Sequence, residues 1–243
     1  MLRPSVGTSR RRRNAPTPCN RAEGFCLLAN MQNVKEVTRQ PSPGGRPQPL
    51  AFYGGQLWVG SWDTDKLYAI ETKNWDVVDE IAAPGRPYGL ARYRDALAVV
   101  VALDDDDRYL FRFRPGRGFD NKVACPEVTG SHLAADGSVL YLCQQGKRRI
   151  LAVDGHASVQ REIALAVRCA GFAFDDSGNA FMITADEEFE NAEFARADLQ
   201  GSVAATDPIA AVPFDGRALT FDGSAWWTSD REEGEIVAFT APG

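Results

Sequence analysis

Only two histidines, His132 and His156, occur in this 243-residue chain, and no apolar run approaches the length of a membrane span. A transmembrane helix is therefore excluded. The segment Phe25 to Ala29 is too short for a signal-peptide core and follows Glu23 instead of a basic flank. The chain is expected to be cytoplasmic. Cysteine is scarce and odd in number: five residues, with no C-x-x-C spacing, suggest reduced thiols and no disulfide framework. A basic face is missing as well. Residues 1–30 hold six arginines against Glu23, a surplus of five, so the remainder must carry eleven excess negative charges for the whole to reach −6. An acidic body argues against nucleic acid as a partner, since phosphate binding needs clustered cations.

Hydrophobic residues make up 44% of the chain and charged ones 25%, enough to build a sizeable core. The first thirty residues stand apart. Arg10 to Arg13, followed by Asn-Ala-Pro-Thr-Pro, show no hydrophobic periodicity and read as a loose tail. Three explanations are open: translation beginning at Met31, a genuine tail, or an address signal. Residues 31–243 are then one domain.

That domain is repetitive. Arg46 to Leu50, Arg86 to Leu90, Thr129 to Leu133, Arg168 to Phe172 and Asp215 to Leu219 align, with first residues 40, 43, 39 and 47 apart. A second apolar run follows each, at Leu57, Leu97, Leu140, Ala180 and Ala225. Within the first unit, Leu50 to Tyr53, Leu57 to Ser61, Lys66 to Ile70 and Val77 to Ile81 are short β-type runs separated by turn residues, the pattern of a meander. Inner runs are nearly all apolar, whereas Val78-Asp79-Glu80-Ile81 alternates, as an outer strand wetted on one side should. The last unit supplies three strands only. Val34 to Val37 has the look of an outer strand and can complete it, covering the edge and closing the ring. The expected fold is all-β: one five-bladed β-propeller of four-stranded antiparallel blades, the last completed by an N-terminal strand, and monomeric.

Pro87 to Leu90, Leu57 to Val59 and Lys66 to Ile70 resemble blades of the superfamily holding virginiamycin B lyase, gluconolactonase-type enzymes and plant-type glutaminyl cyclases. The lyase resemblance implies a magnesium site and a base built from several histidines and glutamates, but only His132 lies at a blade entry. The cyclase resemblance implies an entry glutamine, matched by Gln48. Arg46, however, replaces the family's aromatic, and Val59 stands where its catalytic glutamate belongs. A divergent cyclase needs another carboxylate, such as Asp104 or Asp186. No gluconolactonase-like motif is found.

In propellers, the loops entering the innermost strands and those joining the second and third strands gather on one face. Ligand-binding candidates there are Arg46, Gln48, Trp62, Arg86, Tyr88, Gln144, Arg168, Arg217 and Asp230. The four arginines offer forks to a carboxylate or phosphate. Alternatively they pair with Asp63, Asp104, Asp186 and Asp230 in a structural ring. His132 is a candidate general base or else a channel-lining histidine bonded to a backbone carbonyl; Asp186 is the candidate carboxylate. Asp104, Asp186 and Glu187, within acidic loops, are candidate ligands for Ca²⁺ or Mg²⁺. Cys125, Cys143 and Cys169 with His132 suggest a soft-metal or redox site, or ordinary buried thiols. Trp58, Trp226 and Trp227 read as packing, while Trp62 and Tyr88 are placed to stack on a ligand. The functional expectation is a mouth that binds a small polar or anionic molecule, with lyase or hydrolase chemistry in view. The alternatives are a protein-interaction scaffold and a divergent cyclase.

Overall fold

A computed structural model of the chain describes residues 31–137 and 139–242. The Arg-rich segment and the question of its start lie outside these residues. Glycines 54 and 55, both at positive φ, supply the left-handed turn that lets β2 (Pro47–Tyr53) fold back onto β3 (Gln56–Ser61). The meander continues through β4 (Lys66–Glu71) and β5 (Asp76–Ala82) as blade one. Blade two is β6 (Arg86–Tyr93), β7 (Ala96–Ala102), β8 (Arg108–Arg114) and β9 (Gly118–Ala124). Blade three is β10 (His132–Asp136), β11 (Val139–Gln144), β12 (Arg149–Val153) and β13 (Val159–Ala164). Blade four is β14 (Arg168–Phe174), β15 (Ala180–Ala185), β16 (Ala192–Asp198) and β17 (Ala205–Val212). In blade five, β18 (Gly216–Phe221), β19 (Trp226–Asp230) and β20 (Glu235–Thr240) are joined on the outside by β1 (Lys35–Pro41).

The five four-stranded antiparallel sheets form a ring: the innermost strands pack in the order β2, β6, β10, β14, β18 and back to β2. Burial follows the radial position of each strand. Every residue of β7 is buried, whereas β5 is largely exposed. The core is divided into layers between neighbouring blades. Trp58 and Leu67 of blade one meet Leu97 and Val99 of blade two, and Leu50 and Val59 meet Trp227 and Ile236 across the closure. Burying such side chains is worth about 1.5–3 kcal/mol each, so each blade is held mainly by the blades beside it.

The closing strand begins one residue later than the sequence pattern suggests. Lys35 opposes Thr240 and Pro41 opposes Glu235, with a bulge between Glu36 and Thr38. Val34 instead belongs to blade four: its N–H donates to the Ala211 carbonyl at 2.9 Å, and its side chain is buried there. The segment thus crosses the seam between the last two blades before closing the ring. Arg39 fastens it, donating to Glu36, to Asp230 at 2.9 Å and to Glu235 at 2.7 Å. No helix among the described residues is long and apolar enough to cross a membrane.

Candidate functional site

A register shift interrupts β2, β6, β14 and β18 near their entries, between Pro47 and Leu50, Pro87 and Gly89, Cys169 and Gly171, and Arg217 and Thr220. Such bulges bend a strand and re-aim its side chains. Glycine is required at one of them. A Cβ on Gly171 would sit 2.3 Å from the backbone carbonyl carbon of Ala218, so blades four and five approach closely only because it has none. Beside these entries lie the second-to-third-strand loops, and together they form one mouth of the channel.

The entry arginines occupy two depths. Arg46, Arg86 and Arg168 stand at the first position of the repeat, where their side chains are 58%, 49% and 29% exposed. Arg217 stands two positions further in, aligned with Gln48 and Tyr88, and its side chain is only 8% exposed. The expected acidic ring exists with altered partners. Arg46 donates to Asp63 through Nε at 2.7 Å and through its backbone N–H at 3.1 Å, which together hold that carboxyl below its usual range. Arg86 approaches Asp65 at 4.0 Å, not Asp104. Arg168 pairs with Glu187 at 2.6 Å, not Asp186, and Arg217 pairs with Asp215 at 2.7 Å, not Asp230.

Near the channel axis, charge is less well matched. Arg217 and Arg231 share Asp215, the second at 3.8 Å. Burial, reinforced by the positive charge of Arg217, lowers the proton affinity of Arg231, whose Nη1 also donates to Gln48 Oε1 at 3.2 Å. Arg217 Nε is buried with no hydrogen-bonding partner, and so is His132 Nδ1. Burial first, then Arg217 and Arg231, pushes the His132 imidazole down to about 3. His132 is therefore neutral at neutral pH, and the carbonyl partner expected of a channel-lining histidine is not among its neighbours. An orphaned buried donor ordinarily costs about 1–3 kcal/mol, more when charged, and calls for an acceptor.

Aromatic rings fill the spaces between the cations. Trp62 and Tyr88 pack against each other with centroids 4.7 Å apart, and Trp62 Nε1 donates to the Pro87 carbonyl at 2.7 Å. Arg86 and Arg231 lie 5.9 and 5.1 Å from the Trp62 ring, and Arg108 lies 3.6 Å from Tyr88. Phe189 is contacted by two guanidiniums, Arg217 at 3.9 Å and Arg168 at 5.3 Å. The two rings expected to stack on a ligand pack against each other at a tilt and lie against arginines.

Several other candidates serve the fold. Gln144, 1% exposed, donates to the carbonyls of Pro126 and Thr129 and accepts from Arg149. Asp230, 2% exposed, faces Arg39 of the closing strand. Asp186 ties its own loop, accepting from the Glu190 and Asn191 N–H groups and from Asn191 Nδ2. The residues considered for Ca²⁺ or Mg²⁺ lie apart or are engaged elsewhere. Asp104 opens a short 3₁₀ turn, Glu187 is taken by arginines, and no three His, Cys, Asp or Glu side chains converge to hold an ion among the described residues. Cys125, Cys143 and Cys169 are free buried thiols packed in inter-blade layers, and with His132 they form no metal-holding group. Trp58, Trp226 and Trp227 are buried as packing.

Asp215, Phe189, Arg108 and Arg148 were not legible as site residues. The aligned repeats carried one usable signal: Asp215 occupies the slot that is arginine in three other blades, a charge reversal beside Arg217.

The opposite mouth holds a concavity of about 640 Å³ lined by the hairpins that leave the innermost strands, among them Phe52, Arg92, Asp136, Asp175, Phe221 and Asp222. Two of its carboxylates are committed to local turns. Asp175 accepts from Ser177 and Asn179, and Asp222 accepts from Ser224, Ala225 and Trp227. Between the mouths, Leu50, Tyr88, His132, Phe172 and Leu219 line a narrow stretch of the channel. We place the candidate site at the arginine mouth on chemistry, because uncompensated charge and orphaned donors lie there.

No family model matches the chain, and no curated protein matches it in sequence. Solved structures share its fold. A glutaminyl cyclase from Myxococcus xanthus aligns with TM-score 0.62 and 10% identity over 86% of this chain and 98% of its own. A catalytically inactive virginiamycin B lyase from Staphylococcus aureus, solved with quinupristin, aligns with TM-score 0.53 and 12% identity over 83% of each chain. Regucalcin from Agrobacterium tumefaciens, described as a calcium-binding protein, aligns with TM-score 0.53 and 12% identity over 86% of this chain and 95% of its own. At such identities the likeness establishes the propeller fold and leaves the chemistry to the residues in place.

Proposed function

We propose that the arginine mouth binds a small anionic molecule. The observation that carries this reading is the sharing of Asp215 by two guanidiniums while Arg217 Nε, nearly out of solvent, has no acceptor. A carboxylate or phosphate oxygen would satisfy that donor and relieve the repulsion between Arg217 and Arg231. Binding is assigned here, not proton transfer. A general base works best with a pKa near the operating pH, and burial, which pushes His132 down to about 3, makes it a weak base there. His132 would instead be a neutral hydrogen-bonding group beside the ligand.

The test is a thermal-shift screen of the full chain at constant ionic strength against acetate, succinate, phosphate, sulfate, Mg²⁺ and Ca²⁺. Ligand at a hundred times its Kd stabilises by about 2.7 kcal/mol, or roughly 5–10 °C in Tm for a domain of this size. An anion should produce that rise, and Arg231→Gln should abolish it. A rise that survives in Arg231→Gln, or no rise with any anion, overturns the reading.

A further inference from the structure

Charge is undercompensated twice at this mouth, and the second place adjoins the first. Arg148, at the turn between β11 and β12, and Arg168, at the entry of β14, both pair with Glu187. This repeats the sharing of Asp215 by Arg217 and Arg231. In each group two guanidiniums share a single paired carboxylate. Phe189 lies between them, within 5.3 Å of Arg168 and 3.9 Å of Arg217, so the two groups face a common ring.

Phe189 has further peculiarities. Its φ is +59°, a left-handed conformation that is uncommon for a bulky residue and tends to persist where function requires it. It sits on the loop that Asp186 ties at its base, after the N–H groups of Glu190 and Asn191 have been gathered onto that carboxylate. The ring covers Arg217, the residue with the orphaned Nε. An aromatic face is a weak substitute for the charged acceptor that two arginines on either side could hold.

We infer that the ligand is a small dicarboxylate which displaces the Phe189 ring, one carboxylate meeting Arg217 and Arg231 and the other meeting Arg168 and Arg148. The inference rests on the anion-binding reading and adds three things to it: two charges on the ligand, a second contact group, and a removable cover. A monocarboxylate would neutralise only one of the two groups.

Calorimetric titration of the full chain with succinate, glutarate and adipate, and with butyrate as the one-carboxylate control, tests this. The best-fitting dicarboxylate should bind at least tenfold more tightly than butyrate. Arg168→Gln should weaken the dicarboxylate by roughly ten- to a hundredfold, the loss expected for a charged hydrogen bond, and leave butyrate unchanged. Arg231→Gln should weaken both. Phe189→Ala should strengthen binding or speed association, because the cover is gone. Equal affinity for butyrate and the dicarboxylates, or an Arg168→Gln variant that binds dicarboxylate as well as the parent, would overturn the bridging ligand and leave the anion site standing. Unchanged affinity and rate in Phe189→Ala would overturn the cover. Failure of every anion to bind, or binding indifferent to Arg231→Gln, would remove the anion reading itself.

Discussion

Replacing His132 by glutamine should remove a defined part of the protein's acid sensitivity. In the folded state burial, with Arg217 and Arg231 nearby, depresses the imidazole from 6.5 to about 3. In the unfolded chain it titrates normally. The sign follows from which state takes up the proton. Below about pH 6.5 the unfolded chain gains a proton that the native state refuses, so stability falls as pH falls, and it keeps falling until the native histidine itself is protonated near 3. Integrated over this interval, the loss specific to His132 is about 2 kcal/mol between pH 7 and pH 5. At pH 5 the folded imidazole is essentially unprotonated, so the size of the effect is set by the unfolded value. The assay is reversible urea denaturation of the parent and His132→Gln at pH 8, 7, 6 and 5. Carboxylates elsewhere contribute equally to both proteins and cancel in the difference. The parent should lose about 2 kcal/mol more than the variant between pH 7 and 5. Parallel profiles would show that His132 is protonated as readily in the folded protein as in the unfolded chain, refuting both its burial and its neutrality.

Two further outcomes test the fold. Arg39→Met should cost about 2–3 kcal/mol, because Asp230, with a side chain 4% exposed, loses its cation as the closing strand loses its clasp; a drop of roughly 5–10 °C in Tm is expected, and a shift under 2 °C would show that the clasp is dispensable. Gly171→Ala places a methyl 2.3 Å from the Ala218 backbone, where relief requires one blade to move; thermal unfolding should register about 1–3 kcal/mol of overpacking, and parental stability would show that the seam can give.

The fold was readable because a propeller writes its geometry five times. Alternation and turn residues located the strands of blade one within a residue, except that β2 begins at Pro47, three residues before Leu50, and the missing fourth strand of blade five pointed to the N-terminal segment that β1 supplies. The error at Val34 has a simple cause. Its apolar character marked it correctly as buried, but nothing local distinguishes burial against blade four from burial within blade five. The same limit governs the site. Aligned repeats placed Arg46, Arg86 and Arg168 at one level, and pairing was then assigned to the acidic residue at the corresponding loop position. The observed partners Asp65, Glu187 and Asp215 are displaced from those positions, because a long guanidinium side chain reaches whichever carboxylate the loop conformation offers.

Arg217 shows how the repeat carried more than was taken from it. Grouped by residue type, it was a fourth entry arginine. Aligned by position, it shares its slot with Gln48 and Tyr88, two steps nearer the axis, and the slot it vacates is filled by Asp215. One shift of register along the strand accounts for its burial, for the carboxylate beside it and for the like charge pressing on Arg231 and His132. A ring of symmetry-related arginines, each with its own acid, would be a structural girdle. Moving one of them inward breaks the one-to-one pairing, and the unmatched charge this leaves at the channel mouth is the feature on which the anion-binding reading depends.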